Sequence, residues 1–512
     1  MKILDCTLRD GGYYTQWDFE NELVQNYIDA FNHLPVDYLE IGYRSNAMTE
    51  YFGEYFYCPT YVLEKIRQQS QRKLAIILNE KDVRAVDARS LLSPCLGYID
   101  MIRIAVDPAN FKRALSLAEE VRSMGFELSF NVMYMSKWSG NKCFLDFLPE
   151  ANGLLDYFYL VDSYGGVYPE DVRQTIDMVK EKLECKIGFH GHNNLELALI
   201  NTLTAIDSGA DIVDATITGM GRGAGNLKTE LLLTALNSRD NLQVNFNALS
   251  NVVSDFEKLQ EQHGWGTNLP YMVSGANSLP QKNVMEWVTQ RFYSFNSIIR
   301  ALQNQKSGVQ DNEHLPVFEA PKKYRQVLIV GGGPNAIKHS QAVQEYVKSQ
   351  EDICIIHASS KNAKAYRDLS VDQFFCLVGS EGHRLEKVFE DFGDFKGACI
   401  LPPFPRKMGT YIPDAVKKGT YELAKIDFTN KLTDTHTALA LQTSIELGAE
   451  KIVITGYDGY QESTLTQLER SLSEENEYLF SAFIEAYKID VKFITPTNYK
   501  GLPVSSVYSF LT

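Results

Sequence analysis

Residues 157–194 read YFYLVDSYGGVYPEDVRQTIDMVKEKLECKIGFHGHNN, and this succession of patterns decides the fold. YFYLVD is a short apolar run ending on an acid, as a buried strand does. SYGG interrupts it, Pro169 stands at the one helical position that tolerates proline well, and DVRQTIDMVKEKL carries helical spacing. KIGFHGHNN then opens a second apolar run, so the stretch reads as strand, helix, strand. Working outward, KILDCTL, VDYLEIGYR, KLAIILNE, YIDMIRIAVD, FELSFNVMYM and IVDATITGMG supply six more runs of this kind. Segments such as FKRALSLAEEVRSMG and LELALINTLTAIDSGA lie between them. Eight strand–helix units predict an α/β fold, a TIM-type (β/α)8 barrel over residues 1–235, with a doubly wound open sheet as the rival. In a barrel of this type the chemistry sits at the C-terminal ends of the strands.

The chain has 512 residues, too many for one ordinary core, and the pattern changes after the barrel. Residues 236–305 read as a helical extension whose Tyr- and Phe-rich segments are expected either to pack on the barrel mouth or to form a homo-oligomer contact. Residues 306–323 are polar, with glycine and proline, and read as a linker. From 324 to 512 a second series begins with VLIVGGGPNAIKHS and continues through DICIIHAS, FFCLVGSE, GACILPPF, EKIVITGYD and VKFITP, predicting a Rossmann-like α/β domain of five or six strands. Hydrophobic content of 44% with 22% charged residues is that of a globular chain. The formal charge of −15 excludes a broad nucleic-acid surface and requires a local positive group wherever an anionic substrate binds. Eight cysteines without CxxC spacing, several inside apolar runs, read as reduced thiols. The amino terminus enters a strand directly and no apolar run approaches membrane length, so a cytoplasmic protein without a membrane span is expected.

His190 and His192 are two residues apart on the seventh strand and so face the same way. Asp10 follows strand one, which closes against strand eight in a barrel. Two imidazoles and a carboxylate on one rim form an open divalent-metal site, with Arg9 beside it; the competing reading is a pair of locally satisfied structural histidines. Gly11 and Gly12 read as a tight turn where backbone passes close to a neighbour. Arg103, Asn131 and Asp162 point toward the same mouth, either lining a cavity or holding an internal polar network. Lys137, Tyr43 and Tyr14 are further candidates.

TLRDG (7–11), HGHNN (190–194) and GMGRGAGN (219–226), in this order on these strands, resemble the DRE-TIM metallolyases. That superfamily comprises the hydroxymethylglutaryl lyases, isopropylmalate and homocitrate synthases and 4-hydroxy-2-oxo-acid aldolases. The resemblance spans about residues 1–290. LDCTLRDGGY and YLEIGYRS are most similar to the 4-hydroxy-2-oxovalerate aldolase-like branch, which includes members associated with surface-polysaccharide clusters. The resemblance implies Asp10, His190 and His192 as ligands of a divalent ion, Mn2+ or Mg2+ with Zn2+ and Co2+ as alternatives, and Asn226 either approaches that ion or only shapes its Gly-rich turn. It implies Arg9 as the group that stabilises an enolate, Glu40 as its orienting partner or as a group acting through water, and a 2-oxo acid and an aldehyde as the small-molecule partners. One departure is visible: those aldolases carry a histidine base shortly after the Arg-Asp pair, where this chain has Tyr13. A free phenol ionises near pH 10, so tyrosine suits a proton donor or a hydrogen bond better than a base.

In the carboxy-terminal half, GGGP (331–334) lies between a strand and a helix, where backbone N–H groups can approach a phosphate, although the last glycine of GxGxxG is missing. GGGP followed by TDTHTALALQTSIELGAEKIVITGYDGY (433–460) resembles a Rossmann-like family found with flagellin-modifying proteins and archaeal pterin pyrophosphokinases. This implies a nucleotide or nucleotide-sugar near Gly331, Gly332, Gly333, Thr435, His436 and Asp458; a degenerate domain used for docking is the other reading. The functional expectation is a metal-dependent aldolase acting through a pyruvate-type enolate, serving unusual-sugar or surface-polysaccharide biosynthesis. Two alternatives stand beside it: a Claisen-type acyltransferase joining acetyl-CoA to a 2-oxo acid, and a nucleotide-sugar-binding or assembly protein with an inert barrel.

Overall fold

The computed structural model describes residues 1–289, 295–308, 314–393, 395–406, 410–460 and 467–511. Parts of the expected helical extension (290–294) and linker (309–313) lie outside the described residues. The chain divides into two compact units, Met1–Met285 and Glu286–Thr512.

In the first unit, β1 (Lys2–Asp5), β2 (Tyr38–Tyr43), β3 (Lys73–Asn79), β4 (Met101–Val106), β5 (Glu127–Val132), β6 (Tyr157–Asp162), β7 (Lys186–Gly191) and β8 (Ile212–Ala215) close a parallel barrel in sequence order. Closure is carried by β1, where Leu4 is level with Tyr38 on one side and Asp214 on the other. Alternate residues point inward, and Leu4, Cys6, Tyr38, Ala75, Met101, Tyr157, Tyr159, Val161 and Ile212 meet in a buried interior cluster. The other face of each strand packs on the helical ring, as apolar residues on both faces require. At the N-terminal end the barrel is plugged by polar side chains. The Lys2 Nζ donates to Tyr38 Oη at 3.1 Å and Tyr157 Oη at 2.9 Å, and Glu127 accepts from Tyr38 at 2.6 Å and Lys73 at 2.5 Å.

The segment after β1 differs from expectation. Thr7–Thr15 is an α-helix that includes both Gly11 and Gly12, and the chain leaves it through Gln16 in the left-handed region. The close approach is present without the turn: a Cβ on Gly11 would lie 2.5 Å from Met220 Sδ, and one on Gly12 2.2 Å from the Trp17 ring. These glycines answer to space, not to backbone conformation. In β2 the register shifts between Glu40 and Gly42 as the strand turns at the rim.

The second unit is built on a seven-stranded parallel sheet of β9 (Gln326–Val330), β10 (Ile353–His357), β11 (Gln373–Cys376), β12 (Ala398–Leu401), β13 (Thr420–Glu422), β14 (Lys451–Thr455) and β15 (Asp490–Phe493). Their order is β13-β12-β11-β10-β9-β14-β15, so direction of travel reverses between β9 and β14. The added strand, β13, is three residues long, below the length at which apolar periodicity can be read. Among the described residues no helix is long and apolar enough to cross a membrane.

Candidate metal centre

β7 carries His190 to the rim, and His192 follows it in an isolated bridge to Asn226, so the Gly-rich segment after β8 folds back beside β7. The helix Thr7–Thr15 brings Asp10 over the same opening. One donor atom from each of Asp10, His190 and His192 lies within 4.8 Å of the others. His190 Nε2 is 3.7 Å from Asp10 Oδ2, and the two imidazole centroids are 5.0 Å apart. The far nitrogen of each ring is fixed: His190 Nδ1 by Asp214 Oδ2 at 2.9 Å, and His192 Nδ1 by the Asp162 carbonyl at 2.8 Å. Each Nε2 is thereby left to face Asp10, an outer-shell arrangement that orients imidazole ligands. Asn226 Nδ2 donates to Asp10 Oδ2 at 2.6 Å, whereas its buried Oδ1 has no hydrogen-bond partner, as a further oxygen donor to a cation would not need one.

The charge states suit a cation. Burial disfavours a charged Asp10, but Arg9, His190, His192 and the Asn226 hydrogen bond together hold its carboxyl below the usual range. Burial, reinforced by His190, lowers His192 to about 3, so it is a neutral ligand at any ordinary pH. A second donor group, Cys6, His190 and Asp214, lies deeper in the barrel. It is the weaker set, because burial pushes the Cys6 thiol well above its ordinary pKa and a thiol ligates poorly.

Below the rim runs a chain of buried charge. Arg9 pairs with Asp10, and its Nε donates to Glu40 Oε2 at 2.8 Å. Arg103 donates to the same Glu40 oxygen at 2.9 Å, to Asp214 Oδ2 at 2.5 Å and to Asn131 Oδ1 at 3.2 Å. Arg103 and Asn131 thus belong to an internal network linking Glu40 to His190 through Asp214. The Asp162 carboxylate turns into its own loop, accepting from the Gly166 and Val167 N–H groups at 3.1 and 3.3 Å, and burial raises it to about 6. The Tyr13 hydroxyl lies 3.3 Å from that of Tyr43, and the Arg222 guanidinium covers the Tyr13 ring at 4.0 Å. Asp214 and Arg222 were not singled out by sequence. Asp214 could have been, since inward parity counted from Ile212 puts an acid inside the barrel; Arg222 sits in a glycine-rich loop that has no parity.

In the second unit, the reversal of strand order brings Gly331–Gly333 beside Gly456 and Asp458. Gly331 and Gly333 N–H groups donate to Thr455 and Gly456 carbonyls, each at 2.8 Å. The helix after them has four residues, and Asp458 Oδ2 accepts from the Asn335 N–H at 2.8 Å, so a carboxylate occupies the place of the expected phosphate. A Cβ on Gly332 would lie 3.6 Å from Ser359 and 3.8 Å from Lys361, in ordinary contact with a neighbouring loop. Thr435 caps the helix His436–Glu446 by accepting from Ala438 N–H, and His436 Nε2 lies 3.4 Å from Glu381 Oε2.

A barrel with this rim has a recognisable lineage: residues 1–256 match the model of the HMGL-like family, and the chain belongs to that family. Within it, the chain is 31% identical over 255 residues to a 4-hydroxy-2-oxovalerate aldolase of Thermomicrobium roseum, covering 48% of this chain and 68% of that one. It is 29% identical over 248 residues to an oxaloacetate decarboxylase of Mycobacterium tuberculosis, covering 47% and 71%. The crystal structure of the N-terminal domain of a candidate aldolase from Bacteroides vulgatus is 56% identical with a TM-score of 0.57, covering 59% of this chain and 100% of its own. The family model ends at residue 256, so the resemblance seen in the second half rests on that half's own residues.

Proposed function

We propose that the first unit is a divalent-metal-dependent carbon–carbon lyase of the aldolase type, acting through the enolate of pyruvate or a related 2-oxo acid. The observation that carries this reading is the convergence of Asp10, His190 and His192 on one point of the rim, with the Arg9 guanidinium beside it. Both named relatives break a carbon–carbon bond next to a 2-oxo group, which leaves the same type of enolate. A divalent ion such as Mn2+ or Mg2+ in this set supplies Lewis acidity toward a chelating 2-oxo acid. Arg9 is buried and held by Glu40, so its charge stays fixed and needs no reorganisation as negative charge grows on the substrate oxygen. Tyr13, paired with Tyr43, can hold or return a proton at the hydroxyl end of the substrate.

In a dialysis against Mn2+, wild type is expected to retain about one ion per chain and to release pyruvate from oxaloacetate, and His190→Ala to lose both. Equal metal content in the two proteins would remove the proposal. Thiol release from acetyl-CoA with a 2-oxo acid would replace it with the acyltransferase alternative. The wider context, an unusual sugar for a surface glycan with a phosphorylated or nucleotide-linked partner held in a Rossmann-like second unit, is proposed from the GGGP and THTALAL resemblance. Dialysis against a nucleoside diphosphate tests it, and no retention sinks it.

A further inference from the structure

Above the metal-binding residues the mouth carries two cations that form no ion pair among the described residues. Arg222, in the loop after β8, lies over the Tyr13 ring and forms no ion pair among the described residues. Its charge is favoured chiefly by Tyr13, with Tyr43 and Asp10 contributing from the same opening. Across the mouth, Tyr134 follows β5 and Tyr164 follows β6, their rings stacked at 5.4 Å with a 27° tilt. Lys137 Nζ sits 4.9 Å from the Tyr164 ring and 5.9 Å from that of Tyr134, is exposed, and also forms no ion pair among the described residues. Tyr134 feels both Arg222 and Tyr13, which places the two cations around one opening; Asp107, near the same ring, is engaged in capping the Ala109 N–H at 2.9 Å. Arg9 is different, since Asp10 and Glu40 already balance it. In a chain of net charge −15, two cations without an ion-pair partner among the described residues, set against tyrosine rings at the mouth, suit an anion.

We propose that the carbonyl compound condensed or released at this site is itself an anion, an aldehyde bearing a carboxylate or phosphate, whose charge is read by Arg222 and Lys137 while its carbon chain lies against the tyrosine rings. This rests on the aldolase reading and names its second substrate by class. A planar guanidinium suits either oxyanion, and the two sources are separated by experiment.

The test uses the full-length Mn2+-loaded protein with pyruvate and two length-matched pairs of aldehydes. Succinic semialdehyde against butanal reports on a carboxylate, and glyceraldehyde 3-phosphate against glyceraldehyde on a phosphate. Solvent deuterium exchange into the pyruvate methyl group is followed in parallel without aldehyde. In wild type the anionic member of at least one pair is expected to be favoured about tenfold or more in kcat/KM, as a charge-assisted contact provides. The ratio within that pair falls toward one in Arg222→Gln and is largely kept in Arg222→Lys, and being internal to each protein it does not depend on how much of a variant is folded. Deuterium exchange with ratios near one in both pairs overturns this inference and leaves the aldolase reading standing; so does an unchanged ratio in Arg222→Gln for the role of that residue. Absence of exchange in wild type overturns the aldolase reading, and the inference with it.

Discussion

Arg103 has no exposed surface, yet each side of its guanidinium reaches an oxygen: Glu40, Asp214 and Asn131. The Tyr159 ring lies beneath it at 4.4 Å. Surrounding carboxylates keep it ionised against the cost of burial. Because Glu40 holds Arg9 and Asp214 holds His190, this one cation sets the angles of two groups at the rim without touching substrate. Arg103→Met leaves two buried carboxylates short of a partner and is expected to cost about 3–5 kcal/mol in chemical denaturation. Arg89→Ala, which removes an exposed pair with Glu120 at 3.7 Å, is expected to change stability by less than about 0.5 kcal/mol in the same measurement. Equal effects would mean that the buried network is not the support it is taken to be.

At the scale of elements, the helix Thr7–Thr15 is the piece that turns a barrel into a site, because it lays Arg9 and Asp10 across the opening. Helix propensity alone favours alanine over glycine by about 1 kcal/mol. At Gly12, however, a Cβ meets the ring of Trp17, which is buried and whose indole N–H donates to the Arg9 carbonyl at 2.9 Å. Gly12→Ala is therefore expected to destabilise by about 1–3 kcal/mol in thermal or denaturant unfolding, opposite in sign to propensity. Sequence showed the eight strands clearly, since each is a run of four to seven residues with inward and outward parity, and parity also aligned His190 with His192. It misread Gly11 and Gly12 because glycine marks both turns and close packing, and only the neighbours in space, Met220 and Trp17, tell them apart. Asp10 and Asn226 were legible from motif. Asp214 and Arg222 were not, because their roles come from what they face across the barrel, 24 residues from His190 in one case and 209 from Tyr13 in the other. For Arg103 and Asn131 parity gave the inward face and left open a cavity lining or an internal network, and the contacts place them in the network, because parity gives direction and not height along the barrel axis.

At the scale of the molecule, each unit has its own buried clusters, so unfolding should not follow one two-state transition. His357, at the end of β10, is buried against Phe375 with its Nε2 on Gln373 Oε1 at 2.8 Å, and burial lowers it from 6.5 to about 4. As pH falls below 6.5 the unfolded chain takes up a proton there before the folded one does. The stabilisation from a neutral His357 is complete above that pH and is lost on the way down to pH 4, at up to about 1.4 kcal/mol per pH unit. Denaturant melts of the second unit at pH 7, 6 and 5 should show this slope in wild type and a flatter one in His357→Leu; parallel slopes would assign the proton to another group.

The lysine, tyrosine and glutamate plug at the N-terminal end of the barrel makes the first unit a vessel with a single neck. On the proposed reading, ion, ketone and second reactant would enter past Tyr13 and Arg222, and products would leave the same way. Selection by charge at Arg222 would then act as a sieve in the neck, ahead of any bond-making at the bottom of the cup.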